Sequence, residues 1–305
     1  MAVEGWKDLS DGLAAVVERA ARSVVRVDGG GRGPGSGVAW SADAVVTAAH
    51  WLEGEDEVEV GLPSGETASA EVAGRDPSTD LAVLRVKGGG LAPAAFDEAP
   101  PRVGQLAVAV SRPGKGPRAA LGVVARVGDA FRTHGGGKVD RWVELDVGLH
   151  GGFSGGLVLD AAGRAIGLAT AGLVRGTALA VPPATLARVA TALLAHGGLR
   201  RGYLGVSSFP VRLPAALATA AGQRSGLLLT AVEDGSPAAR AGLALGDVLL
   251  ALDGTAVGQM GDLLPLLEEE RIGAAAKARI ARGGALQELT VTVGARGGRE
   301  EARAP

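Results

Sequence analysis

The chain has 305 residues, a formal net charge of −2 and 3% aromatic residues. That balance excludes a general nucleic-acid binder and a base-stacking platform. It contains no cysteine, which excludes disulfides and thiolate metal sites.

The first residues, "MAVEGWKDLSDGLAAVVERAARSVV", carry Glu4, Asp8, Asp11 and Glu18 where a secretory leader would have a basic region and an apolar stretch. Taken as a native start, this predicts a cytoplasmic protein. A removed leader would place it in the periplasm or elsewhere outside the cytoplasm. No apolar run approaches the roughly 18–20 residues of a membrane span. A helix is predicted over about 10–22, with Leu13, Val16, Val17 and Ala20 on one face.

The period then changes. Short β-like runs follow at 23–27, 37–40, 44–48, 57–62, 68–74, 81–86, 105–110, 121–127, 141–147, 156–159, 165–170 and 177–181, separated by Gly, Pro, Asp or Ser. This spacing predicts an all-β barrel or sandwich. A helix at 183–196 closes the domain, with Leu186, Val189, Leu193 and Leu194 as its apolar stripe, and "GGLRR" (197–201) reads as a linker. A smaller mixed unit follows. Its strands are expected at 203–207, 226–232, 247–252, 276–281 and 288–293. Ser236 and Pro237 start one helix and Gly242 ends it, and a second helix is expected over about 257–270. The domains are therefore placed at 1–198 and 199–297, with a tail at 298–305.

Two phosphate-binding motifs are absent: "GGGRGPGSG" does not satisfy G-x-G-x-x-G, and "GKGP" has no Walker Ser/Thr. The four histidines are far apart, with no i, i+4 pair. Neither a metal nor another cofactor is expected.

The stretch "LHGGFSGGLV" (149–158) sets Ser154 among four glycines. A serine hydroxyl is a weak nucleophile until a base takes its proton, and the base needs a third group to orient it. "AVVTAAH" ends at His50, and "DPSTDLAVLRV" puts Asp80 directly before an apolar strand. Singly, each residue has an ordinary reading as a loop, turn or cap residue. Together they stand in the order His, Asp, Ser, that of chymotrypsin rather than subtilisin or the α/β-hydrolases.

"VVTAAH", "GRDPSTDLAVLRV" and "GGFSGGLVLD" resemble the three catalytic blocks of the HtrA/Deg family of trypsin-like serine proteases. The resemblance runs from about 12 to 293 and includes the "GSGV" strand before the histidine block. It implies a mainly β fold: a chymotrypsin-like double β-barrel protease domain followed by a small α+β PDZ domain. By this resemblance Ser154 is the nucleophile, His50 the general base and Asp80 its orienter. The backbone N–H groups of Gly152 and Ser154 form the oxyanion hole. Leu149, Ala169, Thr170, Ala171 and Gly172 wall the primary specificity pocket. With no acidic residue there, cleavage after small or medium aliphatic residues is expected. "GYLGV" (202–206) resembles a PDZ carboxylate-binding loop, with Tyr203, Leu204, Gly205 and Val206 as the peptide-binding residues.

The implied activity is endoproteolysis of unfolded or damaged proteins, a quality-control role. The PDZ domain would recognise hydrophobic C-termini. The implied assembly is a homotrimer contacted through the N-terminal segment; Trp6 and the helix at 10–22 serve either that contact or packing on the core. The chain departs from the family at three places. Phe153 replaces the usual Asn or Asp, Gly151 an often basic residue, and only a short loop (29–36) occupies the place of the regulatory insertion. His150 is expected to have no catalytic role. Phe153 favours an oxyanion loop completed only when substrate or a PDZ ligand arrives. It also supports the alternative function, a catalytically suppressed chaperone or PDZ adaptor.

Overall fold

The computed structural model describes residues 2–29, 33–133, 135–199 and 201–296. The expected tail, 298–305, lies outside them. The chain divides into two compact units, Met1–Leu199 and Arg200–Pro305.

The first unit opens with α1 (Ala2–Ala20). This helix starts eight residues before the predicted one, because Trp6 and Leu9 continue the stripe of Leu13, Val16 and Ala20 at helical spacing. It ends at Ala20, and after a turn at Ala21–Arg22 the β-branched Val24, Val25 and Val27 favour a strand. Then come β1 (Val24–Asp28), β2 (Pro34–Ala39), β3 (Ala44–Ala48), β4 (Glu57–Gly61), β5 (Thr67–Asp76) and β6 (Leu81–Val86). They close a barrel in the order β1-β2-β3-β6-β5-β4, antiparallel throughout. Inward Val25, Val27, Val45, Leu52, Val60 and Leu84 fill it.

The second barrel uses β7 (Leu106–Ser111) and β8 (Arg118–Gly128), then the small hairpin β9 (Phe131–Arg132) and β10 (Lys138–Val139) as an excursion. It continues with β11 (Trp142–Asp146), β12 (Leu157–Asp160), β13 (Ala165–Thr170) and β14 (Ala178–Val181). The closed order is β11-β14-β13-β12-β7-β8. Helix α2 (Pro183–His196) follows, as expected, with Pro183 in its first turn and Gly197 at φ 73 ending it.

A third apolar cluster belongs to neither barrel alone. Val38, Val46 and Leu81 from the first barrel meet Val110, Leu157 and Leu168 from the second, and Val16 of α1 and Leu186 and Val189 of α2 cover them. This shared core locks the barrels together, so loops at their junction are held by both.

The second unit contains β15 (Arg201–Tyr203), β16 (Val206–Arg212), α3 (Ala215–Ala221), β17 (Ser225–Val232), α4 (Pro237–Arg240), β18 (Val248–Leu252), β19 (Thr255–Ala256), α5 (Met260–Leu263), β20 (Ala275–Arg282), β21 (Ala285–Thr292) and β22 (Gly294–Arg296). Its main sheet runs β16-β17-β18-β20-β21, which leaves one side of β16 as an open edge. Pro210 sits in that edge strand, where a missing N–H costs no ladder bond. The helix expected over 257–270 is a correction: α5 has four residues and gives way to 3₁₀ turns at Leu264–Leu267 and Glu269–Arg271. Pro265 cannot donate to the preceding turn and stops the α-helix. Helix α3 was not anticipated, although Pro214 before it and Gly222 after it are start and stop signals.

Candidate active site

His50 lies in the 3₁₀ turn Ala49–Trp51 that follows β3. Asp80 ends the tight turn between β5 and β6, with φ 55, a left-handed conformation that Asp tolerates better than most residues. The Ala49 N–H donates to the Asp80 carbonyl at 3.0 Å and pins the two turns together.

The Asp80 carboxylate is 5% exposed and saturated with donors. His50 Nδ1 is 2.9 Å from both its oxygens, and the His50 backbone N–H donates to Oδ1 at 3.1 Å. The Thr170 hydroxyl donates to Oδ2 at 2.5 Å. An ionised carboxylate can only accept, so it selects the His50 tautomer that carries its proton on Nδ1. Nε2 is thereby left as the acceptor. Gly172 covers this pair: a Cβ there would stand 2.6 Å from Asp80 Oδ2 and 2.8 Å from His50 Nδ1.

Ser154 comes from the second barrel, in the loop between β11 and β12, and is 6% exposed. Its Oγ accepts from the Ala171 N–H at 3.2 Å, and among the described residues no hydrogen bond joins it to His50. The loop is held internally by Phe153 N–H to the His150 carbonyl (3.1 Å) and Gly156 N–H to the Phe153 carbonyl (2.9 Å). Gly155 N–H donates to the Ala169 carbonyl at 2.8 Å. Glycine is required at two points: Gly152 has φ 88, and Gly155 has φ 85 with Ser36 O only 1.9 Å from where a Cβ would be. The N–H groups of Gly152 and Ser154 have no hydrogen-bond partner among the described residues.

Phe153 is 3% exposed and sits inside the second barrel with Val143, Val158, Ile166 and Ala180. The sequence favoured a loop awaiting its ligand. The structure instead gives Phe153 an apolar seat that holds the loop from behind. Burial of a whole phenylalanine is worth about 2–3 kcal/mol, enough to offset the missing polar side chain.

The pocket residues are also redistributed. Ala169 is wholly buried in the same core as Phe153, and Thr170 is wholly buried with its hydroxyl on Asp80. Strand alternation puts the two on opposite faces, Ala169 toward the barrel core and Thr170 toward the buried carboxylate, which needs donors. Ala171 and Gly172 are exposed, and Leu149 is half-buried against the second core. His150 is exposed and stands edge-on to Phe153, with ring centroids 6.3 Å apart. Sequence reading missed Ser36 and Trp51. Trp51 Nε1 donates to the Ser154 carbonyl at 2.9 Å.

In the second unit, Leu204 is buried and Gly205 has φ 82. Their carbonyls accept from Ala238 N–H (2.8 Å) and Glu233 N–H (2.9 Å) respectively. The N–H groups of Leu204 and Gly205 have no partner among the described residues. Val206 begins the open-edge strand β16, and the Tyr203 hydroxyl donates to Glu233.

Residues 35–168 match the trypsin-like peptidase domain and residues 202–293 match the PDZ domain. The chain is 34% identical over 275 residues to a probable periplasmic serine endoprotease DegP-like of Brucella suis, a match covering 86% of this chain and 52% of that protein. It is 31% identical over 277 residues to a putative serine protease HhoB of Synechocystis sp., covering 86% of this chain and 67% of that one. The solved structure of an HtrA-type protease AlgW with decapeptide is similar at TM-score 0.72 and 27% identity, covering 93% of this chain and 98% of that chain. The chain spans about half the length of the DegP-like relatives it matches. Two barrels with His50 and Asp80 on one and Ser154 on the other, followed by a PDZ unit, place this chain in the HtrA/Deg family of trypsin-like serine proteases.

Proposed function

We propose that the chain is a serine endopeptidase acting on unfolded or damaged proteins, with Ser154 as nucleophile, His50 as general base and Asp80 as its orienter. The observation that carries this reading is the 2.9 Å contact of His50 Nδ1 with a buried carboxylate, beside a serine whose loop offers two unengaged N–H groups. Ser154 Oγ leaves the Ala171 N–H, turns to His50 Nε2 and gives up its proton as it attacks the scissile carbonyl carbon. The Gly152 and Ser154 N–H groups receive the charge that develops on the carbonyl oxygen. His50 then passes the proton to the leaving amine, and water hydrolyses the acyl-enzyme. The test is casein cleavage by wild type beside Ser154→Ala. The expected cuts follow Val, Ala or Leu, and a map dominated by Lys or Arg would contradict the pocket assignment. The packed Phe153 supports catalysis over the suppressed-scaffold alternative.

Residues 1–198 form the protease domain in this reading and 199–297 the PDZ domain. The loop at Tyr203, Leu204, Gly205 and Val206 takes the carboxylate of a hydrophobic C-terminus, and the peptide pairs along β16. In the Ser154→Ala variant of this 305-residue chain, amidating such a peptide should weaken binding by about tenfold or more, because the charge-assisted bonds to the N–H groups are lost. Equal affinities of the acid and the amide, measured by fluorescence anisotropy, would refute carboxylate capture.

The assembly we propose is a homotrimer. Trp6 and Leu9 on α1 are 72% and 41% exposed, two large apolar side chains on one helix left open to solvent among the described residues. Light scattering should give three times the chain mass for wild type and a smaller species for Trp6→Ala. A monomeric wild type would remove the proposal. The names of the DegP-like relatives favour the periplasm over the cytoplasm as the setting. No helix among the described residues is long and apolar enough to cross a membrane.

A further inference from the structure

Ser36, in the middle of β2, is wholly buried. Its hydroxyl stands 2.7 Å from the Gly152 carbonyl oxygen and 2.8 Å from the Arg112 backbone nitrogen. An amide N–H can only donate and a carbonyl can only accept, so the hydroxyl proton is committed to Gly152. The Ser36 N–H donates to the Ser154 carbonyl at 3.3 Å. One residue of the first barrel thus grips both residues of the second whose N–H groups have no hydrogen-bond partner among the described residues.

The grip is itself anchored from two sides. The Ser36 carbonyl accepts the Thr47 hydroxyl at 2.6 Å, which ties it to β3, the strand that runs on to His50. Arg112 is 5% exposed, and its guanidinium donates to three backbone carbonyls: Val24 (2.7 Å), Ala21 (2.8 Å) and Lys115 (3.1 Å). Burial lowers its pKa from the ordinary guanidinium value. These bonds fix the Arg112 main chain, so its N–H occupies the Ser36 acceptor site.

The need for such a grip follows from the loop. Gly151 and Gly152 are adjacent, and glycine adopts many backbone conformations at little cost. A rotation at Gly152 would swing its N–H out of the site. Phe153 holds the loop through apolar packing, which is weakly directional, whereas the Gly152–Phe153 peptide is fixed at both ends, its carbonyl by the Ser36 hydroxyl and its N–H by the His150 carbonyl, and this plane lies between the Gly152 and Ser154 N–H groups.

We propose that Ser36 is a positioning residue for catalysis: its hydroxyl fixes the Gly152–Phe153 peptide, which lies between the Gly152 and Ser154 N–H groups, and so keeps both oxyanion-stabilising groups aimed at the substrate. The proposal rests on the peptidase reading above. Ser36 touches no substrate and acts through Gly152.

The experiment compares wild type, Ser36→Ala, Ser36→Cys and Val58→Ala. Val58 lies in the first-barrel core, so its truncation lowers stability without touching the site. Readouts are kcat and KM on a short peptide, Ki of the matching peptide aldehyde, thermal melting, and a crystal structure of Ser36→Ala. Ser36→Ala should lower kcat by about 10–10²-fold, less than outright loss of an oxyanion donor, with KM changed by less than about threefold. The aldehyde Ki should rise by a similar factor. Ser36→Cys, a weaker donor of similar shape, should fall between, and it carries the kinetic test if Ser36→Ala does not fold. Val58→Ala should lower the melting temperature with kcat within about twofold of wild type. A kcat for Ser36→Ala within twofold of wild type, or a loss that Val58→Ala matches, would overturn the proposal. So would a Ser36→Ala crystal structure with the Gly152 carbonyl unmoved, which decides the matter without turnover. A wild type that cleaves nothing would instead count against the peptidase reading.

Discussion

Ser154→Ala should lower kcat/KM on a short peptide by about 10⁴–10⁶-fold, and His50→Ala should do nearly the same. The double variant should be no worse than either single one, because nucleophile and base act as one unit. Without His50, the Ser154 proton has no acceptor. Without Ser154, the polarised His50 has nothing to deprotonate except water. The Gly152 and Ser154 backbone groups remain in both variants, so a residual rate above that of water is expected. Additive losses, or casein cleavage by Ser154→Ala at the wild-type rate, would end the assignment. Both substitutions remove side-chain atoms at the barrel junction and leave the shared core untouched, so melting temperatures should stay close to wild type.

Asp80→Asn should cost about 10⁴-fold in kcat while preserving the fold. The Asp80 carboxylate accepts three donors: the His50 ring N–H, the His50 backbone N–H and the Thr170 hydroxyl. An amide offers one oxygen and one NH₂ group. Its oxygen can serve the backbone N–H, and its NH₂ then meets Nδ1, which must give up its proton and become an acceptor. The proton moves to Nε2, where a base for Ser154 is required. Asn tolerates the left-handed φ of 55 at this position about as well as Asp does, so the turn survives. Asp80→Ala lacks that tolerance and should lose stability as well as activity. The check is kcat beside thermal melting for both variants. A loss under about tenfold in a folded Asp80→Asn protein would remove the orienting role.

The two barrels were legible because β-structure announces itself locally. Runs such as "LAVLRV" at 81–86 and "AIGLAT" at 165–170 alternate or fill with β-branched and small apolar residues, and Gly, Pro or Asp separate them. The order of His50, Asp80 and Ser154 was legible for the same reason: each stands at the mouth of a recognisable strand. Pro265 was visible too, yet the apolar spacing around it suggested a longer helix than its missing N–H permits.

The partners of each side chain were not legible. Thr170 lies 90 residues from Asp80 in sequence, and only closure of the second barrel against the first brings its hydroxyl to the carboxylate. Nothing in "GLATAG" separates a threonine lining a pocket from one satisfying a buried charge. Phe153 shows the same limit: its neighbours in sequence are glycines and serine, and its seat is built by Val143, Val158 and Ile166 from three strands. Ser36 reads as a small residue between glycines, yet it meets Gly152 across 116 residues. Local periodicity therefore determined which segments become strands and which residues stand at their mouths. Tertiary structure alone decided where each hydroxyl and ring points, because hydrogen-bond donors and apolar seats are supplied by distant strands once the barrels close.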